Sequence, residues 1–211
     1  MKKVVLLGAS SQISQYLIPR LLSFPEIQLT LFSSHVQVLK KYQKTNNVTI
    51  IKGNWRNSDE LVRAITGQDI VYLATSQFEK TNRLVVKIMK KVGGERLIVA
   101  GGLGIYDEVA GKFGEWNANM MGDYTIYKNA AAVIDNSGLN YTFLRMTWLY
   151  DQDGNEAFEI VPKGEPLKGT QVTRQAIAKL VTEIIQEPTK YSKQNIGVVE
   201  PDTEWDKPSF Y

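Results

Sequence analysis

The sequence contains no cysteine and only one histidine, His35. Without thiols there is no disulfide, no iron–sulfur cluster and no thiolate zinc site, and one imidazole is too few for the usual zinc ligand sets, so no metal site is expected. Long apolar runs are missing too: none approaches the roughly 20 residues needed to cross a bilayer. Lys2-Lys3 leads into only four apolar residues before Gly8, which does not resemble a secretion signal. The expectation is a cytoplasmic protein with no membrane partner. Charge of one sign is also scarce, with 25 basic against 22 acidic residues and a net charge of +3. The short pairs Lys40-Lys41 and Lys90-Lys91 fall in predicted helices, where a solvated face explains them better than a nucleic-acid footprint. One further shortage is local. The stretch Gly8-Ala9-Ser10-Ser11-Gln12-Ile13-Ser14 carries one glycine where a phosphate-binding turn of Gly-x-x-Gly-x-x-Gly spacing would carry three.

What the chain does have is alternation. Apolar runs of strand character stand at Val4–Leu7, Ile27–Phe32, Val48–Ile51, Ile70–Leu73, Leu97–Ala100 and Tyr141–Met146. Helical periodicity lies between them, near 12–23, 36–43, 58–65, 80–91 and 118–136. After residue 150 comes a loop rich in Asp, Gly and Pro, then a helix near 173–186 and a last strand at Ile196–Val199. Strands that alternate with helices, the early ones apolar on both faces, predict a parallel sheet covered on both sides. The 211 residues suit a single α/β domain over 1–211, with no repeat or linker to mark a second.

In a dinucleotide-binding βαβ unit the first strand delivers the chain to a tight turn, and the next helix points its N-terminus at the pyrophosphate. Gly8 fills the first glycine place, while Ser11 and Ser14 occupy the second and third. Serine is the mildest replacement: it is small, and its hydroxyl can donate to a phosphate oxygen or cap the helix.

Several stretches resemble the atypical short-chain dehydrogenase/reductase proteins of the NmrA-like, NAD(P)-binding kind: VVLLGASSQISQYLIPRLL, KGNWRNSDELVRAITGQDIVYLAT, LIVAGGLGIYDE, SGLNYTFLRMTWLY and EPDTEWDKPSF. The resemblance covers nearly the whole chain. It implies a Rossmann-type doubly wound parallel sheet in three layers, with residues after about 150 forming a small C-terminal, substrate-side extension. It also implies a nicotinamide dinucleotide, bound by an oxidoreductase acting on a small carbonyl or quinone-like substrate, or by a non-catalytic redox sensor with a protein partner.

Carried over residue by residue, Gly8, Ser10, Ser11, Gln12 and Ile13 match the pyrophosphate turn. Ser33, Ser34 and His35 follow the second strand, where relatives often carry an arginine for the 2′-phosphate of NADP and NAD users an acid. Neither is present; Ser33, Ser34 and His35 can donate to a 2′-phosphate and no carboxylate repels it, so the expectation is NADP, with NAD as the alternative. Asn54 replaces the usual aspartate near the adenine, and Ala74, Thr75 and Ser76 flank the nicotinamide half. The catalytic serine after the fifth strand is absent, because that strand runs into Ala100-Gly101-Gly102. Tyr124 and Lys128 have the Tyr-x-x-x-Lys spacing of the catalytic pair. They are either that pair or an ordinary helix face opposite Ile126 and Val133, with Tyr127 as a rival. Tyr106 and Trp148 are the aromatics expected to border a substrate pocket, and Arg145 matches a position the family commonly keeps.

Overall fold

Every residue of Val4–Leu7 is apolar, so a strand made of them needs cover on both sides. The computed structural model, which describes residues 1–211, supplies it. In β1 (Lys2–Leu7), Val4 and Leu6 point into one core, Val5 and Leu7 into another. There follow α1 (Gln12–Leu22), β2 (Ile27–Ser33), a 3-10 helix (Val36–Tyr42), β3 (Val48–Lys52), α2 (Ser58–Ile65), β4 (Ile70–Leu73) and α3 (Glu79–Val92). Then come β5 (Arg96–Gly102), α4 (Gly111–Met121), α5 (Thr125–Asp135), β6 (Asn140–Met146), β7 (Trp148–Tyr150), β8 (Glu159–Val161), β9 (Gln171–Thr173), α6 (Arg174–Gln186) and β10 (Gln194–Val199).

Eight strands form one sheet in the order β3-β2-β1-β4-β5-β6-β10-β8, parallel throughout except where β8 joins β10. The chain winds outward from β1 to β3, returns to β4 on the other side of β1, and winds outward again. This is the doubly wound Rossmann arrangement, and its switch point lies between β1 and β4. The helices α1 and α6 cover one face, α2, α3 and α5 the other, giving three layers. No helix is long and apolar enough to cross a membrane.

Four local readings change. The helix expected over 118–136 is two helices, because Gly122 (φ +69°) closes α4 and Asp123 restarts the chain by accepting from the N–H of Thr125 at 2.8 Å. The face expected to be core is also different: Ile126 is 61% exposed, while Ala130, Ala131 and Ile134 are buried. The segment at 36–42 is a 3-10 helix, which suits a stretch whose only buried residues, Leu39 and Tyr42, are three apart. The loop after 150 hides strand pairing: β7 and β9 form a small parallel sheet of their own, and β8 extends the main one.

One buried ion pair fixes the loop after β5. Arg145 on β6 and Glu108 have side chains 0% and 2% exposed, and Nη1 meets Oε1 at 2.9 Å. The Glu108 carboxylate also accepts the N–H groups of Gly104 (3.0 Å) and Tyr106 (2.8 Å). Arg145 donates from Nε to Asn195 Oδ1 at 2.9 Å and from Nη2 to the carbonyls of Val161 and Pro162 at 3.2 Å each. Asn195 in turn donates to the Tyr106 hydroxyl and to Asp135, which also accepts from Tyr106 and Lys163. Removing one partner leaves the other charge buried and alone, so Glu108→Gln should destabilise the fold by about 3–5 kcal/mol. Urea unfolding measures this from the midpoint at unchanged slope. A loss below about 1 kcal/mol, the usual limit for an exposed pair, would mean the pair does not anchor the loop.

Candidate functional site

β1 ends in the turn at the sheet's switch point. Gly8 adopts φ +92°, and a β-carbon there would stand 2.8 Å from Ala74 Cβ and 2.8 Å from Trp55 Cζ2. Only glycine satisfies both conditions. The N–H groups of Gly8 and Ala9 both donate to the carbonyl of Phe32 at 3.0 Å, which pins the turn to β2. The two serines in glycine places hold each other. Ser11 caps α1 by accepting from Ser14 N–H at 3.3 Å and donates its hydroxyl to Ser14 Oγ at 2.9 Å; Ser14 Oγ donates to the carbonyl of Gly8 at 3.2 Å. The N–H groups of Ser10, Gln12 and Ile13 meet no acceptor. Unpaired donors at a helix N-terminus, beside a glycine cradle that a β-carbon would fill, suit a pyrophosphate.

Two hollows lie beside this turn, Ile13 lining one and Trp55, which closes on Gly8, lining the other. The larger, of about 970 Å³, runs over the ends of β2 and β3 and is lined by Ser34, Asn54, Trp55, Arg56, Gln77 and Lys80, among others. Ser33 is buried and spends its hydroxyl on Ser10 Oγ (2.8 Å) while accepting from His35 N–H (2.9 Å). Ser34 and His35 are exposed; their side chains meet each other at 3.0 Å, with His35 just outside the lining. Asn54 Oδ1 accepts from Arg56 N–H at 2.9 Å.

The second hollow, about 480 Å³, lies over the ends of β4, β5 and β6. Ile13, Ala74, Thr75 and Ser76 line it together with Trp148, Phe210 and Tyr211. Gln77 lines both hollows, so they adjoin at the loop after β4. The floor at the end of β5 is backbone and ring. A β-carbon on Gly101 would stand 2.1 Å from Phe143 Cε1, and Gly102 faces open space. Tyr211 meets Trp116 and Trp148 edge-on at 5.1 and 5.2 Å, and Phe210 stacks on Tyr150 at 5.6 Å.

The residues singled out from sequence separate accordingly. The turn residues, Ser34, Asn54, Ala74, Thr75, Ser76 and Trp148 all border the turn or its hollows. Tyr106 instead sits in the buried network under the loop after β5, where burial and the Asp135 carboxylate push its phenol well above its ordinary range. Tyr124 lies across Gly104 behind the cavity wall, and its hydroxyl takes a hydrogen bond from Asn117, whose Oδ1 accepts from Trp148 Nε1 at 2.8 Å. Burial raises the Tyr124 phenol, and the Asn117 donor partly offsets it. Lys128 Nζ pairs with Asp107 Oδ1 at 2.8 Å, so the two side chains of the spaced pair turn to different partners. Tyr127 lines the cavity.

Trp55, Arg56, Gln77, Arg174, Phe210 and Tyr211 were not singled out in the sequence. Arg56 carried the only available signal, as a cation two residues after the adenine-side Asn54. The clasp at the turn makes a prediction. Ser11→Gly keeps a tolerated cap, at a cost of about a few tenths of a kcal/mol, and leaves NADP affinity within a fewfold range. Ser11→Leu places a branched chain beside the free N–H groups and should abolish binding. If Ser11→Leu folds by circular dichroism and binds NADP unchanged in calorimetry, the pyrophosphate does not rest here.

A family model described as NAD(P)H-binding matches residues 8–188. A short-chain dehydrogenase/reductase of Veillonella parvula DSM 2008, solved in complex with NADP, is 29% identical over 99% of both chains, with a TM-score of 0.94. A Rossmann-fold NAD(P)-binding family protein of Shigella flexneri is 36% identical over the full length of both, with a TM-score of 0.82. ChuY of Escherichia coli O157:H7, an anaerobillin reductase, shares the fold at 18% identity and a TM-score of 0.80 over 99% of this chain and 100% of its own. No curated protein matches the chain. The turn, the doubly wound sheet and these similarities agree: the chain belongs to the NAD(P)H-binding family of atypical short-chain dehydrogenase/reductase proteins and binds a nicotinamide dinucleotide.

Proposed function

We propose that the protein is an NADP-preferring oxidoreductase that passes hydride between the cofactor and a small carbonyl or quinone-like substrate. The observation that carries this reading is a pair of adjoining hollows, which share Gln77, beside a Gly8 turn whose N–H groups are free. One arm is polar and holds a guanidinium; the other is largely apolar and aromatic. We read residues 1–211 as one dinucleotide-binding domain. The part after about 150 is its substrate side, because it brings Arg174, Phe210 and Tyr211 to the second cavity.

The cofactor preference rests on the polar arm. Ser34, Asn54 and Arg56 line it together, and its one carboxylate, Glu79, is neutralised by Arg83 at 2.6 Å. A 2′-phosphate there meets a cation and hydroxyl and amide donors, with no free acid to repel it. Similarity to the NADP-bound Veillonella parvula protein supports the same choice.

When bound, the nicotinamide supplies or accepts the hydride. The chain's part is to place a flat substrate against it and to move the proton. Two phenols line the cavity, Tyr127 on α5 and Tyr211 in the aromatic wall beside Trp116 and Trp148. We assign the proton to Tyr127, neighbour of the Tyr-x-x-x-Lys tyrosine on the helix before β6, given to the carbonyl oxygen on reduction and taken back on oxidation. Tyr124, bonded to Asn117 behind the wall, then holds Trp148 in place. A second reading, a redox sensor with a protein partner, draws on the bare floor at Gly101 and Gly102, which offers no hydroxyl beside the carbonyl.

Calorimetry with NAD, NADH, NADP and NADPH tests the cofactor reading. Wild type should favour the phosphorylated forms, and Arg56→Gln should cut the NADP-to-NAD affinity ratio by about tenfold, the scale of one charged hydrogen bond. An unchanged ratio would remove Arg56 from the 2′-phosphate. Turnover on a quinone and aldehyde panel tests the chemistry. Tyr127→Phe should lower kcat by about 100-fold or more with cofactor binding intact, while Tyr124→Phe has the smaller effect. The reverse order would restore Tyr124 and Lys128 as the working pair. Tight cofactor binding with no turnover in wild type would favour the sensor.

A further inference from the structure

We infer that the substrate carries a carboxylate and that Arg174 anchors it; this rests on the oxidoreductase reading above and names the substrate class of the same cavity. Arg174 is the only formally charged side chain that lines the second cavity, and no aspartate or glutamate shares the lining. The other polar contributors, such as Thr75, Ser76, Gln77 and Thr147, are neutral. A cation in an otherwise neutral, largely apolar lining selects for an anion, because its one partner, Asp151, is half-exposed and outside the lining, and a carboxylate in the cavity adds pairing on the desolvated side.

Fold stability does not account for this arginine. It is the first residue of α6, where the helix dipole disfavours a positive charge. Its side chain is 15% exposed, and its one ionic partner is Asp151, 53% exposed, at 3.1 Å from Nη1. Its Nε is buried and has no hydrogen-bond partner. Buried unpaired donors are uncommon, and this one leaves the guanidinium only partly satisfied by the fold; because Arg174 lines the cavity, a carboxylate there can pair with it. The pyrophosphate has its own donors in the N–H groups of Ser10, Gln12 and Ile13. Arg174 instead shares its cavity with Trp148, Leu149, Phe210 and Tyr211. Phe210 and Tyr211 are 45% and 50% exposed, an unusual outlay of aromatic surface for a wall without a flat ligand. The substrate class is therefore a flat conjugated carbonyl compound with a carboxylate at one end.

The matched probes are 9,10-anthraquinone-2-carboxylate and its methyl ester, which share the ring and differ in the charge. Binding is read by quenching of tryptophan fluorescence with the protein saturated in NADP, so no turnover is required. Wild type should bind the acid at least about tenfold more tightly than the ester. Arg174→Met should remove that preference without changing ester affinity, and Arg174→Lys should restore part of it. Asp151→Asn, which frees the guanidinium, should widen the preference. Equal binding of acid and ester by wild type, no binding of either, or a narrower preference in Asp151→Asn would overturn the proposal. So would an Arg174→Met variant that weakens NADP and leaves the acid-to-ester ratio unchanged, since the cation would then belong to the pyrophosphate. A separate NADP titration keeps failure of the cofactor reading distinguishable from failure of the anchor.

Discussion

At Gly8 the chain has no room for a β-carbon, and the rest of the site is arranged around that vacancy. The positive φ turns the chain at the strand end into α1, whose first N–H groups, with that of Ser10, are left without an acceptor. The missing side chain lets Ala74 of the neighbouring strand end and the indole of Trp55 close on the turn from two sides. Ala74 lines the apolar cavity and Trp55 the polar groove, so a side chain at Gly8 would displace a wall of each. Any other residue there would have to push them apart and strain the backbone as well.

The serines that follow show why a glycine pattern can lapse without losing the turn. Glycine at the third position serves close packing of helix on strand; Ser14 is fully buried there and spends its hydroxyl on the carbonyl of Gly8. Ser11 spends its own on Ser14 and on the helix cap. Both hydroxyls point inward, so they stiffen the turn and leave phosphate recognition to backbone N–H groups. A stiffer turn loses less freedom on binding, which offsets the tighter clearance that a side chain brings.

The fold was legible wherever one local rule dominated. Strands apolar on both faces, separated by helical periodicity, identified the parallel sheet and its covering layers. The turn was legible because its position after the first strand mattered more than its glycine count. The Tyr124–Lys128 spacing holds in the structure, since the Lys128 N–H donates to the Tyr124 carbonyl at 2.9 Å, but the side chains take different partners, Asn117 and Asp107, which no spacing rule records. β7, β8 and β9 have three residues each, too few to show a period of two. Arg174, Phe210 and Tyr211 reach a cavity built mostly by β4, β5 and β6, and no local pattern records that approach.

The buried pair of Arg145 and Glu108 lies on the opposite side of the same design question. Two apolar residues of similar volume would save the cost of desolvating both charges. They would not, however, receive the N–H groups of Gly104 and Tyr106, which stand in a loop without regular backbone partners. Those groups need an acceptor once buried. The loop they hold carries Leu103 and Ile105 into the cavity and seats Gly104 beneath Tyr124, which in turn steadies Asn117 and Trp148. The charge pair is therefore best understood as what sets the cavity wall in position. The wall itself can then be apolar and adaptable, while the polar groups that fix its shape stay out of the substrate's reach.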